Sequence, residues 1–146
     1  MAVQATTNLT NLPFVRSGYT VMRDNETLLQ DGARATPLLP FTVMTQVLAT
    51  RKWVPLTDIA DTDGLAIARG IYVGDTVTAA ALVAGDVVGV PIIVGGPAMI
   101  DTQQLVFENS LTLNSIVADQ DERVEDSLAH IGIFAEATID IDEFEN

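Results

Sequence analysis

The side chains best equipped for chemistry lie toward the C-terminal end, where the only histidine, His130, follows Ser127 by three residues. On a helix that spacing brings a hydroxyl and an imidazole onto one face, a turn apart. A nucleophilic serine needs more than a nearby ring. The base must touch the hydroxyl, a third group must orient the base, and the three usually come from separate elements around a cleft. Spacing alone therefore favours a histidine that ends a helix in solvent. Asp140 and Asp142 alternate with isoleucines and so share the outward face of a strand. There they charge an edge against unwanted pairing; they are not set apart as an acid and a base. The turn Asp61-Thr62-Asp63-Gly64 opens like a calcium loop, but its glycine follows the second aspartate at once and Leu65, Ala66 and Ile67 come next. A calcium loop needs a third oxygen ligand before the glycine and a glutamate at its end, so a plain turn is expected. "VGGP" and "GDVVGV" match neither the Walker nor the Rossmann spacing. The expectation is a protein without catalytic, cofactor-binding or metal-binding residues, and not an enzyme.

Composition narrows the remaining classes. A chain of 146 residues with 48% hydrophobic and 18% charged residues is one domain's worth with a core of useful size. The net charge is −13, and seven basic residues cannot build a patch that tracks a phosphate backbone, so direct nucleic-acid binding is not expected. There is no cysteine, which removes disulfides, thiolate catalysis and cysteine zinc sites together. "MAVQATTNLTNLPF" lacks the basic start and apolar stretch of a signal peptide. The most apolar region, residues 79–100, holds Asp86 and is punctuated by Gly85, Gly89, Pro91, Gly95, Gly96 and Pro97. That pattern predicts buried short strands and turns in place of a membrane span.

The elements that would position these groups are mainly β. The first 30 residues are polar, rich in Thr and Asn, and lack sustained periodicity, which predicts an extended N-terminal arm over 1–30 and a β-rich domain over 31–146. "FTVMTQVLAT", "KWVPL", "LAIARGIYVGD", "DVVGVPIIV" and "QQLVFEN" read as strands, separated by Asp, Gly and Pro turns. Such short, often broken strands suit a small barrel-like β fold. One short C-terminal helix is expected, with Asp119 and Glu122 at capping-box spacing and Val124, Leu128 and Ile131 on one face. Beyond it, Ile131, Ile133, Ala135, Ala137, Ile139 and Ile141 alternate as the inner face of a last strand.

The order of features carries a resemblance. "TPLLPFTVMTQVLATRKWVPL", a loop ending in Asp63-Gly64, "AIARGIYVGD", the apolar hairpin "GDVVGVPIIVGGPAMI" and "LVF" together resemble the head decoration proteins of tailed phages, the lambda gpD-like family. The matching residues are Lys52-Trp53, Asp63-Gly64 and Ala68, Gly70 and Ile71, and the similarity runs over roughly residues 20–142. It implies a homotrimer on the outer surface of the expanded phage capsid, made in the bacterial host cytoplasm and carried on the virion. It further implies that an N-terminal arm reaches the major capsid protein by strand addition.

In this chain the arm residues with apolar anchors are Leu9, Leu12, Pro13, Phe14 and Val15. Trimer or capsid contacts are expected from Trp53, Pro55, Val90, Pro91, Pro97 and Met99, because the stretch around residues 90–100 is more apolar than a small domain readily hides. Trp53 itself has two readings, a core-edge tryptophan beside Pro55 with Lys52 in water, or a place in a subunit interface. The competing class is an adhesin-like or carbohydrate-binding β domain on a virion surface. Such a domain stacks sugars on clustered aromatics, and here one Trp, two Tyr and five Phe are scattered through the chain. No cofactor, membrane or nucleic-acid partner is expected.

Overall fold

A computed structural model describes residues 15–57, 67–117 and 122–136. The fold is mainly β, and the described residues form a closed five-stranded barrel, a three-stranded sheet packed beside it, a small two-stranded ribbon and two short helices. The strands are β1 (Val15–Gly18), β2 (Val21–Leu28), β3 (Val43–Val47), β4 (Lys52–Pro55), β5 (Gly70–Tyr72), β6 (Val87–Gly95), β7 (Ala98–Asp101), β8 (Ile116–Val117), β9 (Glu122–Arg123) and β10 (Ile133–Glu136). The helices are α1 (Ala79–Ala84) and α2 (Val124–His130). Around the barrel the order is β2-β4-β3-β5-β6, and every seam is antiparallel except β2 with β4, which meet at Leu28 and Trp53.

The barrel wall explains why several strands read as continuous apolar runs. Leu28, Met44, Trp53, Tyr72, Val90 and Ile92 come from all five strands and fill the interior with Leu38 and Leu82. Their immediate neighbours Val43, Ile71 and Ile93 point the other way, into a second core shared with Ile100, Val124, Leu128 and Ile133. Successive side chains of a strand face opposite sides, so β3, β5 and β6 are buried on both faces. Strand β2 differs. Its burial alternates poorly, since its outer face is in water and its pairing with β6 shifts register between Arg23 and Glu26.

Several expectations need correction. The first 30 residues are not all an arm: β1 pairs with β7, and β2 closes the barrel between β4 and β6. Polar β2 gave no period-two signal because one face is wet and its register is bulged. Residues 79–84 form a helix where strands and turns were expected, since alanine favours helix most strongly and the Thr78 hydroxyl accepts a hydrogen bond from the Ala81 amide at 3.2 Å. "QQLVFEN" is not a strand. The Asp101 carboxylate accepts from the Gln103 amide at 3.0 Å and starts a 3-10 turn over Thr102–Gln104, leaving only Val106 to bridge to Thr42.

The C-terminal helix is present but starts at Val124, one residue past Glu122 and Arg123, which belong to β9. Asp119 lies outside the described residues, and Glu122 precedes the helix and so is not its N3 residue. Asp126 instead closes the first turn by accepting from the Arg123 amide at 3.1 Å. Val124 and Leu128 are fully buried and Ile131 packs against the same core, as the helical spacing predicts. Gln30, Lys52 and Asp86 tie the strand ends near α1. The Lys52 Nζ meets Asp86 Oδ2 at 2.5 Å, and the Gln30 amide donates to Oδ1 at 2.8 Å. Those two donors hold the Asp86 carboxyl below its ordinary range, the lysine hydrogen bond contributing most.

Candidate interaction surface

The barrel has no open edge, but the sheet β1-β7-β10 has two among the described residues. Strand β7 is central, with β1 antiparallel on one side and β10 parallel on the other. Ser17, Met99 and Phe134 fall in one row across these strands, because Met99 is the register partner of both. The opposite face, with Ile100 and Ile133, is buried against the second core. Outward, Ser17, Gly18, Pro97, Ala98, Met99 and Phe134 line a shallow cleft of about 180 Å³. Tyr19 stands beside it, 58% exposed, its amide donating to the Pro97 carbonyl at 2.9 Å, and Phe134 is 45% exposed.

Local sequence makes this corner possible. Gly18 has φ +78°, and a Cβ there would lie 2.4 Å from the Pro97 carbonyl oxygen, so only glycine lets β1 end so close to the β6–β7 turn. Gly96 is held the same way from the other side: a Cβ would meet the Gly132 carbonyl oxygen at 2.1 Å. Gly18, with Gly95 and Gly96 of the apolar stretch, thus serves close backbone approach, which seats β1 and β10 against β7.

The residues expected at interfaces fall in different places. Leu9, Leu12, Pro13 and Phe14 lie outside the described residues. Val15 opens β1, pairs with Ile100 and packs on the second core, so it belongs to the sheet and not to a free arm. Trp53 and Val90 are 2% and 5% exposed in the barrel interior. The interface reading of Trp53 is thereby overturned. It sits within β4, fills the barrel, and its indole N–H donates to Glu26 Oε1 at 3.2 Å. Lys52 is not simply in water but paired with Asp86. Pro55 and Pro91 are half-buried in strands β4 and β6. Pro97, exposed, and Met99, half-buried, line the outer face of the sheet β1-β7-β10.

The argument that residues 90–100 exceed what one domain can hide also fails. Val90, Ile92, Ile93, Ala98 and Ile100 are all buried, because β6 feeds two cores at once. Sequence reasoning missed Tyr19 and Phe134. Phe134 had a usable signal, being the one aromatic on the polar side of an alternation whose inner face carries Ile131 and Ile133. Tyr19 had none, since it follows a four-residue strand that shows no pattern of its own.

Ser127 and His130 do not engage each other. Both turn to Glu122: the Ser127 hydroxyl is 3.4 Å from Oε1 and His130 Nε2 is 3.0 Å from Oε2. A carboxylate that touches both residues has taken the place where a triad puts its base. The arrangement ties β9 to α2, with Ser127 buried and His130 exposed. The turn at residues 61–64 and the pair Asp140 and Asp142 lie outside the described residues. Among the described residues, no three His, Asp or Glu side chains form a group that could hold a metal ion, and no helix is long and apolar enough to cross a membrane. In comparisons with known proteins, no family model, no curated protein and no solved structure matches this chain.

Proposed function

We propose that this protein is a capsid decoration protein that binds the outside of the expanded phage head as a homotrimer and cements it against internal DNA pressure. The reading starts from the resemblance to the lambda gpD-like family. The observation that carries it furthest is the open sheet: residue 14 precedes β1 directly, and β1 is an edge strand among the described residues, near the exposed Tyr19 and Phe134. A segment entering at an open edge can add a strand to a partner, backbone hydrogen bonds giving affinity and Leu12 and Phe14 giving anchors. Three such segments per trimer multiply the strength of individually weak contacts. The trimer contact in this reading is narrower than the sequence suggested, centred on Pro97, Met99, Phe134 and Tyr19.

Cementing needs no turnover. A protein that binds only the expanded lattice stabilises it by mass action, about 2.7 kcal/mol per site at a hundred times the dissociation constant. The test is to mix purified protein with expanded heads and image them. Saturable density at the three-fold positions is expected, together with a higher temperature for DNA release than bare heads show. Removing residues 2–14 should leave the circular dichroism spectrum intact and reduce head binding more than tenfold. Absence of binding to any head form would overturn the proposal.

A further inference from the structure

We infer that the mouth of the barrel beside Trp53 is a binding pocket for a small organic ammonium compound, with an alkyl or aryl body and one positive charge. The cavity measures about 330 Å³ and lies between the end of β2, strand β4 and α1. Its floor is apolar, formed by Leu28, Leu38, Trp53 and Leu82, with Val54 and Pro55 on one wall. That volume and lining fall at the small end of ligand pockets. The walls are preformed by main-chain bonds: the Leu29 amide donates to the Trp53 carbonyl at 2.9 Å and the Asp31 amide to the Leu82 carbonyl at 3.0 Å.

Charge at the rim selects the ligand. Arg34 lines the cavity but commits four of its five N–H donors elsewhere. Its Nε donates to the Thr36 carbonyl at 2.7 Å, Nη1 donates to Glu108 Oε2 at 2.7 Å, and Nη2 serves Glu108 Oε1 and the Pro37 carbonyl. Glu108 cancels its charge. Gln30 spends its side-chain amide on the Val83 carbonyl at 2.7 Å. The remaining charge is that of Asp31, an exposed residue whose Oδ1 accepts from the Ala33 amide at 3.0 Å and whose Oδ2 has no partner among the described residues. An apolar floor under one uncompensated carboxylate complements an apolar body with a cationic end, and it disfavours an anion. The reading is independent of whether the protein decorates a capsid.

The experiment is a titration of the full-length protein with n-hexylammonium chloride, read by the emission of Trp53, the only tryptophan. A saturable change is expected, with 1-hexanol about three- to fivefold weaker, as one partly solvated charge contributes, and hexanoate weaker still. Because the whole chain is acidic, any cation is attracted, and Asp31→Asn separates that general field from the pocket. Asparagine keeps the acceptor for the Ala33 amide, so the turn persists. In that variant hexylammonium should bind no better than hexanol, while hexanol is unchanged. Amide resonances that shift should cluster at Leu29, Asp31, Val54 and Thr57. No saturable response, hexanoate binding as well as hexylammonium, an Asp31→Asn variant that keeps the preference, or shifts centred elsewhere would each overturn the assignment.

Discussion

The barrel and the three-stranded sheet beside it share a layer of core but treat their strand edges in opposite ways. In the barrel each of five strands is paired on both sides, so no backbone donor faces a missing neighbour along its seams. In the sheet β7 alone is paired on both sides, and β1 and β10 leave their outer edges open among the described residues. Burial follows the same division. The barrel interior takes Trp53 and Tyr72, the largest side chains of the core, whereas the sheet keeps Phe134 and Tyr19 outside. Closure makes a region self-sufficient and leaves it little to offer a partner. A sheet edge that is open among the described residues, with Phe134 exposed on its outer face, is where association costs least, since no described pairing has to be broken.

The largest expected effect tests whether the barrel dominates stability. Trp53→Ala removes the bulk of the interior core and strands Glu26, and should cost about 4 kcal/mol in urea unfolding followed by circular dichroism. A loss below about 1 kcal/mol would mean that the interior can collapse around the gap.

Leu128→Ala empties the other core, between the barrel wall and α2, and should cost about 3 kcal/mol. The informative result is the shape of the transition. Neighbouring pairs such as Met44 with Val43 and Ile92 with Ile93 feed the two cores from one wall, so both should melt together. Trp53 fluorescence and circular dichroism should then trace a single transition. A tryptophan signal that stays native while circular dichroism falls would divide the molecule into two cooperative units.

Phe134→Ser probes the open sheet. At an exposed position it should change stability by no more than about 0.5 kcal/mol, yet weaken self-association measured by sedimentation on the protein or by cross-linking on decorated heads. A variant that forms trimers as readily as the parent would remove the outer row from the contact.

The smallest effect concerns Asp86, at the barrel end of α1. Its carboxyl is held below its ordinary range in the fold, so its contribution is present above that range and is lost as pH falls through the depressed value. Asp86→Asn should therefore be slightly less stable than the parent at pH 7, and the gap should close in acid, below about pH 4. A gap that widens on acidification would reverse the sign of this linkage. Because the pair is exposed to solvent, added salt should narrow it as well.

The legible parts of the fold were those where one local rule acted alone. The Val124, Leu128 and Ile131 spacing gave the helix face, and Ile133 is buried in the last strand as its alternation predicts, while Ala137, Ile139 and Ile141 lie outside the described residues. The β class itself followed from turn residues between short runs of β-branched side chains. Strand β2 was not legible, since its outer face is wet and its bulged pairing breaks the period of two. Nor was α1, whose alanine run was read as part of a buried sheet. The candidate surface was half legible: Pro97 and Met99 were expected there, while Trp53 and Val90 proved to be core.

What sequence by itself determined was composition-level physics: an acidic, cysteine-free chain of mainly β structure, with β3 to β6 and the last strand expected where they lie. Tertiary structure alone decided which apolar residues are inside. A run such as Val90 to Ile93 carries no mark that distinguishes a strand buried on two faces from one that exposes a face to a partner. That outcome depends on what packs against the second face, here α2 and β10, contributed from more than thirty residues further along the chain.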